Sequence, residues 1–114
     1  MNDVVTAGNR RSLPVVAEDL FELSDAAHEF LKALASPARQ KIMLLFAHGA
    51  ELSVNEIADR AGIGQSTASQ QLQILRRGGV VTSRRDGKTV YYRSDREGVS
   101  RALDDLQSYL QTCC

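Results

Sequence analysis

Residues 53–93, SVNEIADRAGIGQSTASQQLQILRRGGVVTSRRDGKTVYYR, decide the fold of this 114-residue chain. The first half of the stretch contains two short helical patterns, which a glycine-containing turn at residues 62–64 separates. The second half changes to β-branched and aromatic residues, with an Asp-Gly pair between two strand-like runs. Two short helices joined by a tight glycine turn are typical of a helix-turn-helix. The stretch therefore predicts a helix-turn-helix that leads directly into a β-hairpin.

Capping residues mark where the two short helices begin and end. Ser53 and Glu56 have the spacing of a capping box, in which each side chain satisfies a free backbone donor of the other residue. The second short helix is predicted from about Ser66 to Arg77, because Gly78-Gly79 follows it and glycine commonly ends a helix. Local sequence signals therefore bound the helix-turn-helix at both ends.

The two strand-like runs, residues 80–84 and 89–93, predict the hairpin. Asp86-Gly87 between them is expected to supply the positive φ angles of a tight turn. Three basic residues are predicted at the tip of this hairpin: Arg84, Arg85 and Lys88. Flexible cations there suit contacts with DNA phosphates or the minor groove, and charge on an edge strand also prevents unwanted strand pairing. We expect these residues to add affinity and salt dependence more than sequence choice.

Further helical patterns precede this unit. Residues 1–16 mix polar residues, glycine and proline without periodicity, and are expected to form a flexible tail. From Ala17, apolar residues at three- and four-residue spacing predict a first helix. Ser36-Pro37 then starts a second helix, with serine as the N-cap and proline at the first helical position. This second helix is expected to run to about His48.

A last helix follows the hairpin, and its start is predicted by Ser94 and Glu97, which also have capping-box spacing. The order of elements predicts a winged helix-turn-helix, mainly α with a small β-hairpin wing, in the order α1-α2-α3-α4-β-β-α5. Residues 17–114 are expected to form one domain, since a chain of this length has room for a single hydrophobic core.

The distribution of charge favours a nucleic-acid partner, although the formal net charge is zero. Residues 60–93 contain seven basic residues and one acidic residue, whereas the rest of the chain contains seven basic and thirteen acidic residues. A basic stretch of this kind attracts a phosphate backbone. No apolar run approaches the roughly 18 residues of a membrane span, and the N-terminus lacks the order of a signal peptide. A cytoplasmic location is therefore expected.

The second short helix has one face of hydroxyl and amide groups. With about 100° between successive residues, Ala68, Leu72 and Leu75 fall in one sector and must face the core. The opposite side has no acidic residue, although exposed helix faces usually carry Glu and Lys. Such groups can read base edges in the major groove, where glutamine pairs bidentately with adenine. The predicted DNA-contacting residues of this helix are Gln65, Ser66, Thr67, Ser69, Gln70, Gln73 and Arg77.

The first and last helices carry more apolar residues than one small core can bury. A second copy of the chain would cover them and would place two helix-turn-helix units about one turn of DNA apart. Packing within a single chain is the alternative. The residues predicted at the dimer interface are Phe21, Phe30, Leu34, Leu103, Leu106, Tyr109 and Leu110. Residues 17–114 are thus expected to be a DNA-binding and dimerisation domain.

Two other classes of function are disfavoured. An enzyme is disfavoured because the sequence has no phosphate-binding glycine loop, no histidine beside a nucleophile and no His-Glu metal motif. A winged helix that binds only proteins is the alternative to DNA binding. It is disfavoured because protein interfaces favour aromatic anchors, and the sequence contains no tryptophan.

Three segments together resemble the ArsR/SmtB family of bacterial metalloregulators. They are ALASPAR at residues 33–39, GIGQSTASQQLQILRRGGVV at residues 62–81 and TSRRDGKTVYYR at residues 82–93, and the resemblance extends over residues 18–112. It implies a homodimeric repressor that binds operator DNA and that an inducer releases. Many members have a histidine where Gln71 stands. The sequence around Gln71 is similar to the branch that contains biofilm growth-associated and sulfide-responsive repressors.

Several inducer sites that the resemblance implies are not matched. The arsenic site of the third helix would have cysteines at Ser53 and Asn55. The zinc and nickel sites of the last helix combine Asp and His ligands, but this helix has Asp104 and Asp105 and no histidine. The sulfide-responsive relatives have a cysteine on the second helix, where residues 42–46 read IMLLF. A repressor without metal or thiol sensing is therefore an alternative.

Cys113-Cys114 resembles the cysteine pair that some arsenic-responsive members carry at the end of this helix. Adjacent thiols can chelate a thiophilic trivalent ion such as arsenite or antimonite, and a reactive sulfur or redox signal is the other inducer class. A third thiolate would come from the second subunit or a small thiol. The helix C-terminus is expected to raise the thiol pKa values. Neighbouring helical residues point about 100° apart, so the last turn is expected to fray when both thiols bind.

Overall fold

The computed structural model describes residues 22–114 and confirms the winged helix-turn-helix, with one strand more than predicted. Its helices are α1 (Asp25–Leu34), α2 (Pro37–Leu44), α3 (Val54–Ala61), α4 (Gln65–Arg77) and α5 (Arg96–Cys113). Its strands are β1 (Leu52–Ser53), β2 (Val81–Asp86) and β3 (Thr89–Ser94), and a short 3₁₀ turn covers Ala47–Gly49. Helices α3 and α4 form the helix-turn-helix, and we call the β2–β3 hairpin the wing.

The first helix begins later than the sequence suggested. Residues 22–24 are not helical, and α1 starts at Asp25. Ser24 is its N-cap, because the side-chain oxygen accepts a hydrogen bond of 3.1 Å from the backbone N–H of Ala27 and satisfies a free donor of the first turn. The predicted start at Ala17 and the predicted tail over residues 1–16 lie outside the described residues. Helix through residues 22–24 was a wrong prediction.

The second helix begins with the predicted serine cap and proline but ends four residues early. It stops at Leu44 rather than near His48. Beyond that point each backbone hydrogen bond spans three residues instead of four. The N–H of Phe46 donates to the carbonyl of Met43 at 3.1 Å, which is the pattern of a 3₁₀ turn. His48 has a φ of +63°, and a left-handed residue cannot continue a right-handed helix.

A short strand, β1, adds a third member to the predicted hairpin. It pairs antiparallel with β3, so the sheet order is β1-β3-β2. Leu52 lies opposite Tyr92, and both side chains are buried. Since β1 leads directly into α3, this pairing connects the wing to the start of the helix-turn-helix.

The wing turn differs from the predicted Asp-Gly turn by one residue. Asp86 pairs with Thr89 as the last rung of the ladder, which leaves Gly87 and Lys88 as the loop. Gly87 has a φ of +63°, whereas the φ of Lys88 is negative. A positive φ at the first loop position alone is the pattern of a type II′ turn, which favours glycine there. Asp86 therefore belongs to the strand.

The start of α5 is also shifted by one residue. Ser94 is the last residue of β3 and pairs with Val81, so it cannot cap the helix. The carboxylate of Asp95 instead accepts a hydrogen bond of 2.9 Å from the backbone N–H of Gly98. An aspartate at this position caps the helix as effectively as the predicted serine would, and the Ser94–Glu97 capping box is a wrong prediction.

One cluster of buried apolar side chains joins the five helices to the sheet. Its largest fully buried members are Phe46, Ile42, Ile57, Leu72, Leu75, Val80 and Val81. α4 lies across this core and contributes Leu72 and Leu75 from its middle. The position of α4 is therefore set by packing along its inner side, and its outer side is left to solvent.

Candidate functional site

Helix α4 separates into a buried side and an exposed side. Ala68, Leu72 and Leu75 each have a relative exposure of 0%, which confirms the predicted inner side. The turn that precedes α4 begins at Gly62, whose φ of +68° ends α3 in the left-handed conformation that glycine adopts without strain. The buried Ala68 packs the N-terminal half of α4 against the core.

One row of polar side chains on α4 is exposed, and we call it the reading face: Ser66, Gln70, Gln73 and Arg77. Spacings of three and four residues place the four side chains above one another along the helix. Gln65 and Thr67 are exposed at its borders, and Ser69 is half-buried. The row offers hydroxyl, amide and guanidinium groups, all of which donate hydrogen bonds, and most of which also accept them.

A groove of about 670 Å³ lies between the first turns of α3 and α4 and the wing turn. Ser66 and Ser69 line it from α4, Lys88 and Thr89 from the wing, and Asn55 from α3. The wing turn therefore lies near the N-terminal half of α4. Asn55 was not among the predicted contact residues. It lies in the first turn after the Ser53 cap, a position that the capping-box spacing of Ser53 and Glu56 already indicates.

The three basic residues predicted at the tip of the wing differ in their contacts. Arg85 and Lys88 are exposed. Arg84 instead donates two hydrogen bonds to the carboxylate of Glu51, from Nε to Oε2 and from Nη2 to Oε1, each 2.8 Å long. Its guanidinium carbon lies 4.7 Å from the ring centre of Tyr91. Arg84 is thus held against the sheet, three positions before the loop residue Gly87.

The Arg84–Glu51 pair changes the acidity of both groups. The side-chain hydrogen bond from Arg84 lowers the pKa of Glu51, and the same bond raises the pKa of Arg84. Both side chains stay ionised at neutral pH, so the pair ties the wing to the loop before β1. Glu51 could not be found from the sequence, since nothing local connects it to a residue 33 positions away.

Phe30, one of the predicted dimer residues, is buried within its own chain. Its relative exposure is 3%, and it packs in the core of its own chain. It lies on the inner side of α1, three residues from the buried Ala27 and Ala33. A side chain already buried in this way has no apolar surface left to offer a second copy. Phe21, another predicted dimer residue, lies outside the described residues.

The other predicted dimer residues retain free surface. Half-buried side chains among them are Leu34, Leu106 and Tyr109. Leu103 and Leu110 are each 53% exposed, and a separation of seven residues puts them on one side of α5. Leu31 of α1 is also 44% exposed, although it was not predicted. An apolar stripe on α5 is therefore uncovered in the single chain.

The two cysteine side chains lie close together at the end of α5. Both thiols are exposed, and their Sγ atoms are 3.2 Å apart. α5 extends to Cys113, and the backbone N–H of Cys114 still donates to the carbonyl of Leu110 at 3.0 Å. Fraying of this last turn when both thiols bind an ion stays a prediction. The pKa of Cys113 is raised, chiefly by its hydrogen bond with Cys114 and then by burial. For Cys113 the predicted direction is right, although the main cause is the neighbouring thiol rather than the helix C-terminus.

Known proteins that are similar to this chain also have a helix-turn-helix. A family profile described as a helix-turn-helix domain matches residues 34–84. The biofilm growth-associated repressor of Xylella fastidiosa is 40% identical over 95 residues, which cover 83% of this chain and 82% of that protein. The chain belongs to the ArsR/SmtB family of winged-helix transcriptional regulators.

Two further similarities support membership of the ArsR/SmtB family. The biofilm growth-associated repressor of Agrobacterium fabrum is 41% identical over 76 residues, which cover 67% of this chain and 64% of that protein. A solution structure from Mycobacterium bovis, described as a homodimeric winged helix-turn-helix DNA-binding domain of a possible ArsR-family regulator, is 36% identical. It covers 93% of this chain and 91% of its own, with a TM-score of 0.62.

Residues 22–114 lack two further features. In this part of the chain no group of three or more His, Cys, Asp or Glu side chains is arranged to hold a metal ion. Among the described helices, none combines the length and the apolar character that crossing a membrane requires.

Proposed function

We propose that this ArsR/SmtB-family chain is a homodimeric repressor that binds operator DNA in the bacterial cytoplasm, with no catalytic activity of its own. The observation that carries the proposal is the reading face of α4. It presents exposed hydroxyl and amide groups on one side of a helix whose opposite side is completely buried. A rigid helix with this arrangement can enter the major groove and present its side chains to base edges.

α4 and the wing, which line the groove from two sides, would contact different parts of the DNA. Gln70 and Gln73 would pair with base edges, with Ser66, Thr67, Gln65 and Ser69 as further contacts and Arg77 toward the backbone. Lys88 and Arg85 of the wing would neutralise phosphates or reach into the minor groove. Arg84 has a different part in this proposal, because it is engaged with Glu51. It would hold the wing at the correct distance from α4.

A second copy of the chain is the proposed cover of the apolar stripe on α5. Leu103 and Leu110 are exposed in the single chain, and Leu106 and Tyr109 are partly so. Pairing along this stripe would relate two reading faces by a two-fold axis, as a palindromic operator requires. We expect Leu103→Glu to give a monomer in analytical ultracentrifugation, because a charge on a buried apolar interface is strongly unfavourable. Leu44→Glu is the control, since Leu44 is 75% exposed on α2 and this variant should remain a dimer.

The DNA-binding proposal is tested by titration with the promoter upstream of the protein's own coding region. Affinity for this duplex and for a scrambled duplex of equal length is measured at several salt concentrations. We expect tighter binding to the promoter, with both affinities falling as salt rises because phosphate contacts release counterions. Equal affinity for the two duplexes at every salt concentration would refute operator recognition. Salt dependence alone shows only contact with phosphate.

A thiophilic inducer at the cysteine pair is the second proposal. It is supported by the exposed Sγ atoms of Cys113 and Cys114, which are 3.2 Å apart. An ion that bonds each sulfur at about 2.3 Å can bridge sulfurs up to about 4.6 Å apart, so both thiolates can hold one As(III) or Sb(III). A third thiolate would come from the second subunit or from a small thiol. A reactive sulfur or redox signal would use the same pair.

Replacement of both cysteines by serine tests the inducer proposal. Arsenite, antimonite and a persulfide donor are each added to the complex with promoter DNA, and release is followed by fluorescence anisotropy. We expect at least one compound to release the native protein but not the double variant. Thr112→Ala, a change in the same turn without loss of a thiol, is the control and should respond as the native protein does. Release that is the same in all three proteins would exclude the thiols as the sensor.

A further inference from the structure

The side chain of Arg39, at the start of α2, connects two other helices. Its Nε donates to the carbonyl oxygen of Ala33 at 2.8 Å, and its Nη2 donates to that of Lys32 at 3.0 Å. Both acceptors are in the last turn of α1, where carbonyls lose their usual donors within the helix. Its Nη1 donates to Oε1 of Gln71 on α4 at 2.9 Å. A planar guanidinium has its donors in a fixed fork, so the three bonds fix α4 against the end of α1.

α1 and α4 meet again at Gly78, directly after the end of α4. A side chain at Gly78 would put its Cβ 2.6 Å from the Cβ of Ala33 and 2.8 Å from the carbonyl oxygen of Glu29. Only glycine permits this approach. Gln71 and Gly78 are seven residues apart, or about 10 Å along the helix axis. Contacts at two points along one helix restrict its rotation and tilt as well as its position.

The contact between Arg39 and Gln71 is close to the reading face without belonging to it. Gln71 is half-buried on the flank of α4, next in sequence to Gln70, and Arg39 is half-buried as well. At its other end, α1 borders α5: Leu23 and Ser24, directly before α1, line a groove of about 210 Å³ together with Ser108 and Tyr109. α1 thus lies between the C-terminal half of α5 and α4.

We propose that Arg39 is a positioning residue, which through Gln71 fixes the orientation of α4 relative to α1 and thereby sets discrimination between operator and other DNA. The inference rests on the proposed function. In the proposed dimer, pairing along the stripe on α5 sets the two-fold axis, and α1 packs between α5 and α4. The Arg39–Gln71 bond then determines how the two reading faces stand relative to that axis. Contacts with phosphates tolerate a change in the orientation of α4. Hydrogen bonds to base edges do not, because they depend on both distance and angle.

Two single variants and their combination test this inference. Arg39→Lys keeps the charge but loses the fork, and Gln71→Met keeps the side-chain size but loses the acceptor. For each, affinity is measured for the promoter and for scrambled DNA. We expect the ratio of the two affinities to fall roughly tenfold, the size of one hydrogen bond to a charged group, with affinity for scrambled DNA nearly unchanged. The double variant should lose no more than either single one, because both remove the same contact.

Two further variants separate positioning from general loss of structure. Gln71→Glu keeps an oxygen acceptor for Arg39 and should preserve the ratio, although its charge lowers affinity for both duplexes. Gln40→Met is the matched control: Gln40 Nε2 donates to the carbonyl of Leu34 at 2.8 Å, so the variant removes a bond between α2 and α1 that does not reach α4. It should leave the ratio unchanged. Urea unfolding of every variant checks that the fold persists, and Gln71→Met carries the test if Arg39→Lys is unstable.

Two results would overturn the inference while leaving operator binding intact. One is an unchanged ratio in Gln71→Met, which includes an equal fall for promoter and scrambled DNA. The other is a pair of losses that add in the double variant. A native protein that does not distinguish the two duplexes is a separate result. It would refute the proposed function, and the positioning role of Arg39 with it.

Discussion

The carboxylate of Glu51 accepts two hydrogen bonds from the guanidinium of Arg84, each 2.8 Å long, and that guanidinium lies over the ring of Tyr91. Glu51 precedes β1, Arg84 is on β2, and Tyr91 is on β3, which runs between those strands. The three side chains therefore span the whole sheet on one face. An isolated two-stranded hairpin is marginally stable in water, and this contact supplements the backbone pairing that anchors the wing.

The pKa of Glu51 is predicted to lie below the ordinary value of a glutamate, because the hydrogen bond from Arg84 stabilises its ionised form. A folded-state pKa that is lowered gives stabilisation that is present above the unfolded pKa and lost as the pH falls through the folded pKa. We expect the contact with Tyr91 to loosen only in that acidic range. A carboxyl-detected NMR titration measures the pKa, and Arg84→Gln should raise it toward the ordinary value.

Glu56 is the internal control for this titration. Its pKa is also lowered, but by hydrogen bonds from the backbone and side chain of Ser53 in the capping box at the start of α3. Arg84→Gln should therefore shift Glu51 and leave Glu56 where it is. A pKa of Glu51 that does not respond to the substitution would show that Arg84 does not hold it in solution.

Stability depends on the inner side of α4. Leu72 has a relative exposure of 0%, and Leu72→Ala should lower the free energy of unfolding by about 2–5 kcal/mol through lost burial and the cavity left behind. Gln73→Ala on the reading face should change it by less than about 0.5 kcal/mol. Urea unfolding at one fixed protein concentration measures both, because the stability of a dimer depends on concentration. Similar losses in the two variants would contradict the assigned sides of α4.

Base and phosphate contacts should respond differently to substitution. Gln70→Ala is expected to lower affinity for the promoter by about 1–3 kcal/mol with little effect on scrambled DNA, because it removes a contact with a base edge. Lys88→Ala should weaken binding to both duplexes alike and reduce the salt slope by about 1, because it removes a phosphate contact. The pair of affinities and the slope distinguish the two roles. A salt slope that changes with Gln70→Ala alone would reverse the assignment.

Features decided by neighbouring residues could be predicted from the sequence. The inner side of α4 follows from the spacing of Ala68, Leu72 and Leu75, and the start of α3 follows from Ser53 and Glu56, whose side chains and backbones exchange the predicted hydrogen bonds. These patterns are complete within one or two helical turns. They need no knowledge of the rest of the chain, so the helix-turn-helix and the exposed reading face were both predictable.

Features decided by distant residues could not be predicted. Arg84 is a basic residue of the wing, and its position predicts a phosphate contact. Glu51, 33 positions earlier, instead accepts its hydrogen bonds. Arg39 and Gln71 are 32 positions apart, and β1 is a strand only because β3 lies beside it. Phe30 has the same apolar character as Leu103, and only the packed structure separates the buried residue from the exposed one. In each case the partner is set by tertiary packing rather than by local pattern.

The cysteine pair gives a last prediction, which concerns proton loss. The pKa of Cys113 is raised chiefly because Cys114 shares a hydrogen bond with it. Cys114→Ala removes that partner, so the pKa of Cys113 should fall and its thiolate fraction at neutral pH should rise. The pH dependence of iodoacetamide alkylation, followed by mass spectrometry, measures this change, since the thiolate is the reactive form. Cys113→Ala serves as the companion variant, because it reports the remaining thiol at the end of α5. If Cys113 alkylates no faster in Cys114→Ala than in the native protein, the hydrogen bond between the thiols does not control its acidity.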